Sequence, residues 1–338
     1  MDYKNTLKED GIVIAAPCME EIYKKATLLS NNQVSVLIYG ESGVGKTRLA
    51  EYIQKHSPQP QAPFIRIHCN AISSELFASE LFGYSPNAFT GASPKGKIGL
   101  LEAANHGTVL FDEINELSPE NQTLLLHFLQ NKTITPIGSL KSKAIDTRVI
   151  CTSGRSLLEM IQEGTFRADL YYRICVANIF IPPMRQRREE IPAFLDYFVD
   201  QFASELNCTP KKPSISEDIM KQLCGLPWQG NIREIENLAQ YICLSDDAAQ
   251  VIENYIHIEE NHTPSVPAPQ PKPDKREQLQ DLTLLFSPSS PVMPLKEVTE
   301  KFEQAYIQNA LSKTSSLKEA AKALNISFST LCRKKREL

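Results

Sequence analysis

The sequence predicts an α/β fold: a parallel sheet with helices on both faces, followed by a small helical subdomain and an all-α C-terminal module. Three observations predict it. Short β-rich runs alternate with helical patterns through residues 1–180, and such alternation is what a parallel sheet covered on both faces produces. Past Ile181-Pro182-Pro183 the strands stop and amphipathic helices take over. Residues 261–294 then break all periodicity before helix returns at Leu295.

Taken in order, residues 34–39, Val-Ser-Val-Leu-Ile-Tyr, form a buried strand, followed by a Gly-rich loop and a helix from about Lys46. Further β-rich runs occupy 64–68, 108–111 and 148–152, with helix between them as at 121–129. Segments 189–206, 214–225 and 231–244 carry helical amphipathicity and no convincing strand. In the next stretch Pro264, Pro267, Pro269, Pro271 and Pro273 fall within ten residues. Such a segment cannot continue a helix and reads as an extended linker. The expected division is therefore 1–180 α/β, 181–260 helical, 261–294 linker and 295–338 C-terminal module.

Composition narrows the class. The chain has 338 residues, 42% of them hydrophobic, which is room for two or three domains around a large core. Its net charge of −4 hides an asymmetry: residues 295–338 carry +4, leaving −8 on the rest. A small basic end on an acidic body points to a DNA-reading module attached to something else. No two of the eight cysteines sit at a C-x-x-C spacing, so neither a zinc ribbon nor a redox motif is suggested. The N-terminus has no signal-peptide pattern and no stretch approaches a membrane span, so a cytoplasmic protein without membrane contact is expected.

Gly40-Glu41-Ser42-Gly43-Val44-Gly45-Lys46-Thr47 fits the phosphate-loop pattern G-x-x-x-x-G-K-[ST], with the strand before and the helix after that the motif requires. Its glycines let backbone N–H groups turn toward phosphate oxygens, Lys46 supplies a positive charge, and the Thr47 hydroxyl is placed to ligate Mg2+. A second element, Gly107-Thr108-Val109-Leu110-Phe111-Asp112-Glu113, is an apolar strand ending in two acids. Asp112 is the expected Mg2+ holder and Glu113 the expected general base for water. Two acids after a strand also occur at helix starts, where they favour the dipole; the phosphate loop upstream tips the reading toward nucleotide hydrolysis.

Glu80-Leu81-Phe82-Gly83-Tyr84 and Asn87-Ala88-Phe89-Thr90-Gly91-Ala92 resemble the central domain of sigma-54-dependent enhancer-binding proteins, which are AAA+ P-loop ATPases. Their hallmark is a surface loop reading Gly-Ala-Phe-Thr-Gly-Ala. The resemblance implies that Phe89 and Thr90 touch sigma-54; an ordinary hairpin with a buried Phe is the plainer alternative. Phe166-Arg167-Ala168-Asp169-Leu170-Tyr171-Tyr172-Arg173 is similar to the family's arginine-finger segment. By that likeness Arg167 and Arg173 act on a neighbouring subunit's γ-phosphate, where a cation offsets developing charge. Surface ion pairing is the other reading of these two arginines. Fingers acting in trans imply a homo-oligomer, from dimer to hexameric ring.

Pro183-Met184-Arg185-Gln186-Arg187-Arg188-Glu189-Glu190-Ile191-Pro192 resembles the start of the family's helical lid. Pro227-Trp228-Gln229-Gly230-Asn231-Ile232-Arg233-Glu234 resembles its second sensor. There Arg233 is implied to contact the nucleotide, and Trp228 is read as lid core. The implied cofactors are ATP and Mg2+.

At the C-terminal end, Ser316-x-x-Glu319 forms a capping box, and Ala320, Ala321 and Leu324 give its helix an apolar face. Asn325 suits the left-handed turn, and Ser327 opens a second helix carrying Ser329, Thr330, Arg333, Lys334 and Arg336. This is a helix-turn-helix with the second helix in the major groove, similar to the Fis-type module of enhancer-binding proteins. Ser329, Thr330, Arg333 and Lys334 are the expected DNA contacts; Lys334, Lys335 and Arg336 suit phosphates better than bases. A solvated helix end is the plainer account of the basic cluster.

The chain departs from the family pattern at four places. Asn87 stands where the family has Gly and follows Pro86, which implies a stiffer loop. Ser153-Gly154 replaces the first sensor's Thr-Asn, leaving Ser153 as a partial substitute. His68 stands where an Asn restrains the catalytic Glu, and Thr47 replaces a Glu. The first three bear on coupling between hydrolysis and loop movement and leave nucleotide binding intact. No receiver, PAS or GAF-like region is read ahead of the ATPase segment. Regulation is therefore expected from a separate regulatory protein, from expression level, or from a sensor outside this sequence.

The resemblance spans roughly 11–260 and 295–338. It implies an activator that binds upstream double-stranded DNA at inverted repeats and remodels sigma-54 RNA polymerase to open promoters. The alternatives are a tyrosine-repressor-like DNA-binding regulator that does not engage sigma-54, and an AAA+ remodeller unrelated to transcription.

Overall fold

The computed structural model describes residues 12–206, 216–245, 247–261 and 330–331. The chain divides into two compact units, Met1–Glu260 and Asn261–Leu338. The first unit begins with α1 (Pro17–Ser30), β1 (Val36–Tyr39), α2 (Lys46–Lys55), β2 (Phe64–His68) and α3 (Ser74–Phe82). A short hairpin, β3 (Gly83–Tyr84) with β4 (Lys97–Ile98), precedes α4 (Leu100–Ala103) and β5 (Thr108–Asp112). A 3₁₀ turn at Ile114–Glu116 leads into α5 (Pro119–Asn131), then a second hairpin, β6 (Thr133–Ile134) with β7 (Lys143–Ala144). β8 (Arg148–Ser153), α6 (Leu157–Gln162), α7 (Ala168–Ile174) and β9 (Ala177–Phe180) complete the α/β part.

The main sheet is parallel, in the order β2-β5-β8-β1-β9. β5 and β8 are buried at every residue, as the inner strands of a sheet covered on both faces must be. One side of the sheet packs Phe77, Phe111, Leu125 and Phe128, the other Tyr23, Leu49, Ile53 and Leu110. Pro17 and Pro119 sit in the first turns of α1 and α5, where a missing N–H costs nothing, and the Ser118 hydroxyl caps α5 by accepting from Asn121 N at 3.4 Å. Because all five strands run the same way, their C-terminal ends bring the phosphate loop, Asp112 and Ser153 to one edge, the usual place for a ligand.

The strands expected at 34–39, 64–68, 108–111 and 148–152 form; 64–68 keeps its bounds and each of the others has one end shifted by one or two residues. β9 and both hairpins were not foreseen: β9 is four residues long with only Ile179 buried, too short to show a period. Helix replaces strand after residue 183, as read. α8 (Ile191–Glu205), α9 (Glu217–Gly225), α10 (Ile232–Leu244) and α11 (Ala248–Asn261) surround Trp228, which is fully buried and donates its indole N–H to Leu223 O at 3.0 Å. Trp228 is thus lid core.

Of the second unit, Thr330 and Leu331 are helical. Helix α11 runs through Asn261, one residue into the expected linker; residues 262–294 and the expected DNA contacts Ser329, Arg333 and Lys334 lie outside the described residues. Among the described residues no helix is long and apolar enough to cross a membrane.

Candidate functional site

The phosphate loop turns at the C-terminal end of β1 against the start of the lid. Gly43 has φ +76°, and a β-carbon there would come within 2.3 Å of Gly230 O, so only glycine fits between loop and lid. Lys46 is 5% exposed; its ammonium donates to Gly40 O and Glu41 O, each at 3.0 Å, and lies 3.2 Å from Glu113 Oε1. Held from three sides, this charge sits at a fixed point in the bend of the loop. The Glu41 carboxylate turns the other way, onto Arg185, with Arg185 Nη1 donating to Oε2 at 2.8 Å. That hydrogen bond holds the Glu41 carboxyl below its ordinary range against the opposing effect of burial. Glu41 therefore offers the site its backbone while its side chain latches the loop to the lid.

Asp112 and Glu113 follow β5. Burial alone would raise the Asp112 pKa, but hydrogen bonds from Thr152 and Arg66 and the Arg66 charge outweigh it, and the group stays ionised below the usual range. Thr152 Oγ1 donates to Asp112 Oδ1 at 2.5 Å and Thr47 Oγ1 donates to the same oxygen at 3.3 Å. A hydroxyl and a carboxylate converging there are the hard oxygen donors that Mg2+ takes, usually with phosphate and water completing the shell. The donor set fits that ion. Among the described residues no group of three or more His, Cys, Asp or Glu could hold a metal.

Glu113 has φ +55°, a left-handed backbone pinned by its N–H donating to Thr152 Oγ1 at 2.9 Å. This turns its carboxylate over Gly154, where an added β-carbon would lie 2.8 Å from Glu113 Oε2. The absent side chain at 154 is thus space the Glu113 carboxylate uses. Ser153, read as a partial substitute for the first sensor, is fully buried, its hydroxyl 2.6 Å from Arg155 O and 3.0 Å from Asn115 Oδ1. Asn115 lines the cleft instead, and its carbonyl accepts Gly154 N–H at 3.0 Å. His68 does not restrain Glu113; its Nδ1 lies 3.4 Å from Asp112 Oδ2.

These groups line one cleft of about 910 Å³ between sheet and lid, within the range of a small-molecule site. Arg233 reaches in from α10, its Nη1 donating to Ser42 Oγ at 3.1 Å. Ile12, Tyr23, Ile181, Phe194 and Phe198 give an apolar wall. Arg167 and Arg173 do not line it. Arg167 pairs with Asp169 at 2.8 Å on the surface, and Arg173 donates through two nitrogens to Leu129 O at 3.1 and 3.0 Å.

Phe89 and Thr90 lie on the loop between β3 and β4, both exposed. Phe89 is 45% exposed and rests edge-on against Tyr84 with ring centres 5.1 Å apart, so the buried-Phe alternative fails. Asn87 has φ +56°, a left-handed conformation that Gly and Asn adopt readily. Ser85 N donates to Ile137 O at 2.9 Å and Ile137 N to Gly83 O at 2.9 Å, joining the two hairpins.

Sequence reasoning missed a buried clamp at the hinge. Arg187 is 1% exposed; it donates to Pro182 O at 3.1 Å, Val44 O at 2.9 Å and Glu190 Oε2 at 2.8 Å. Glu190 Oε1 accepts the N–H groups of Ala15 and Ala16 at 3.1 and 3.2 Å. Asn231, also buried, accepts from Met184 N at 2.8 Å and donates to Ser42 O at 2.9 Å. Arg66 was missed too: its Nη2 lies 2.6 Å from Asp112 Oδ2.

Parallel sheet, phosphate loop, acidic strand end and helical lid around one cleft define the AAA+ class of P-loop ATPases. Residues 12–180 match the family described as Sigma-54 interaction domain, 185–270 the AAA+ ATPase lid domain, and 299–338 the bacterial regulatory protein, Fis family. The chain belongs to the family of sigma-54-dependent transcriptional regulators carrying these three parts. It is 33% identical over 323 residues to an uncharacterized protein in the HyuA 5' region of Pseudomonas sp. (strain NS671), covering 93% of this chain and 100% of that one. It is 39% identical over 253 residues to the nitrogen fixation protein AnfA of Azotobacter vinelandii, covering 75% of this chain and 46% of AnfA. The chain thus spans about half the length of several curated relatives it matches. A crystal structure of NtrX from Brucella abortus in complex with ATP is 26% identical with a TM-score of 0.65, covering 96% of this chain and 68% of that one.

Proposed function

We propose that the chain binds ATP with Mg2+ in the sheet–lid cleft, hydrolyses it at a subunit boundary of a homo-oligomeric ring, and uses the cycle to press Phe89 and Thr90 against sigma-54 at a promoter. The backbone of residues 40–47 and Lys46 take the phosphates, Arg233 reads them from the lid, and the apolar wall takes the base. Mg2+ held by Thr47 and Asp112 would neutralise charge on the phosphates. Lys46 is shared: a triphosphate in the loop competes with Glu113 for it, and Glu113 released from Lys46 is the base that polarises water. Arg167 and Arg173 do not line their own chain's cleft, so as finger residues they serve a neighbour's. The Fis-type end holds the ring beside the promoter on upstream inverted repeats, in the cytoplasm, with Ser329, Thr330, Arg333 and Lys334 as contacts. A separate regulatory protein is a fitting source of control.

The observation that carries this reading is one chain holding a nucleotide cleft with an acidic pair and, on a hairpin outside that cleft, an exposed Phe89 and Thr90. The tyrosine-repressor-like alternative has less support, because residues 12–180 match the sigma-54 interaction family throughout. Two measurements test it. Glu113→Gln is expected to retain ATP and lose phosphate release, and equal release by both proteins defeats the hydrolysis claim. Capture of purified sigma-54 is expected with an ADP–metal-fluoride mimic and to be lost in Thr90→Ala; no capture in any nucleotide state defeats the partner claim.

A further inference from the structure

We propose that Arg66 is a tethered cation that competes with the divalent metal for Asp112 and Thr47, so that the site accepts metal only together with nucleotide phosphate. The inference rests on the ATP–Mg2+ reading of the cleft.

Arg66 stands on edge strand β2, register partner to Leu110 on β5. Its Nη2 and Nε lie 2.6 and 3.1 Å from Asp112 Oδ2, and Nη2 also donates to Thr47 Oγ1 at 3.4 Å. One guanidinium therefore bridges the same two side chains that a metal would need. The other Asp112 oxygen is taken by Thr152 and Thr47, so no oxygen of this carboxylate faces the cleft unclaimed. Movement of the side chain is what relieves the competition. That movement is available: the Arg66 side chain is 37% exposed and itself lines the cleft, where negative phosphate charge offers it a second partner. Free metal must expel Arg66 with no such compensation. Metal arriving with a triphosphate brings the compensating charge along.

The plain alternative is an ion pair that only fastens β2 to β5, and metal dependence separates the two. Full-length protein and Arg66→Gln are compared for binding of a fluorescent ATP analogue as Mg2+ is raised, with thermal midpoints confirming that both are folded. The Mg2+ concentration at half-maximal binding is expected to fall roughly three- to tenfold in Arg66→Gln, the scale of losing one partly solvated charge contact. Arg66→Lys keeps the charge and loses the fork, so its midpoint falls less; it also serves if Arg66→Gln is unstable. In parallel, Mn2+ without nucleotide, followed by its paramagnetic resonance signal, is expected to bind Arg66→Gln more tightly than the parent. An unchanged or higher Mg2+ midpoint in both variants overturns the role of Arg66. Failure of every protein to bind the analogue at any Mg2+ concentration overturns the nucleotide reading itself, and the inference with it.

Discussion

Two residues that look like defects in the sequence are fitted to their places. Asn87 replaces a glycine where φ is +56°, and Asn pays little for that conformation. Asn87→Gly should leave sigma-54 capture unchanged. Asn87→Val should weaken it, because a branched side chain resists the left-handed region by about 1–2 kcal/mol. Gly154 is the second case. Restoring the family's Asn there should reduce phosphate release by about tenfold or more while nucleotide still binds, because the new side chain displaces the Glu113 carboxylate and small misplacements of a catalytic group are costly. Activity equal to the parent would show that Glu113 does not work from this position. Motif spacing grouped Lys46, Thr47, Asp112 and Glu113, and the structure brings all four to one cleft. The reason for Gly154 was not legible, because it lies in the approach of two strand ends that only the folded sheet brings together. Arg66 was silent for the same reason: one charge in an alternating strand reads as a solvated residue until its register with β5 is known.

At the scale of elements, the hinge between sheet and lid turns on four consecutive residues that the sequence presents as one charged run. Arg185 goes to Glu41, Gln186 closes a 3₁₀ turn, Arg187 is buried on Glu190 and Val44, and Arg188 folds back on Arg185 O at 3.1 Å. Nothing in residue type separates Arg187 from its neighbours; burial does. Removing one partner of a buried pair leaves the other charge uncompensated. Arg187→Met is accordingly expected to cost about 3–5 kcal/mol, read as a clear fall in thermal midpoint, whereas Arg188→Met on the surface should change it little. Similar midpoints for the two variants would show that the clamp is not what fixes the hinge. Lid helices α8, α9 and α10 were readable from 3.6-residue periodicity, whereas α11 was not read. The two hairpins were not, since strands of two residues carry no period and owe their existence to each other.

For the molecule as a whole, Arg167 and Arg173 do not line their own chain's cleft, and under the proposed finger role catalysis would be a property of an assembly. Mixing Glu113→Gln with Arg167→Ala, each expected to be inactive alone, should restore part of the phosphate release, because mixed rings of the proposed kind would contain boundaries with both groups intact. No recovery at any ratio would place the finger role elsewhere. The proposed cycle would give helix α5 a mechanical part. It starts just after the turn that follows Glu113 and ends at the hairpin whose Ile137 is stitched to Ser85 and Gly83. Its 13 residues make a rod of about 20 Å. Rooted near Glu113 and tied at its far end to the stem of the Phe89 loop, such a rod would act as a lever arm in the proposed cycle. A slight tilt at its foot becomes a sweep at the tip, and shortening the arm by one turn would shorten the stroke even with every chemical group left in place.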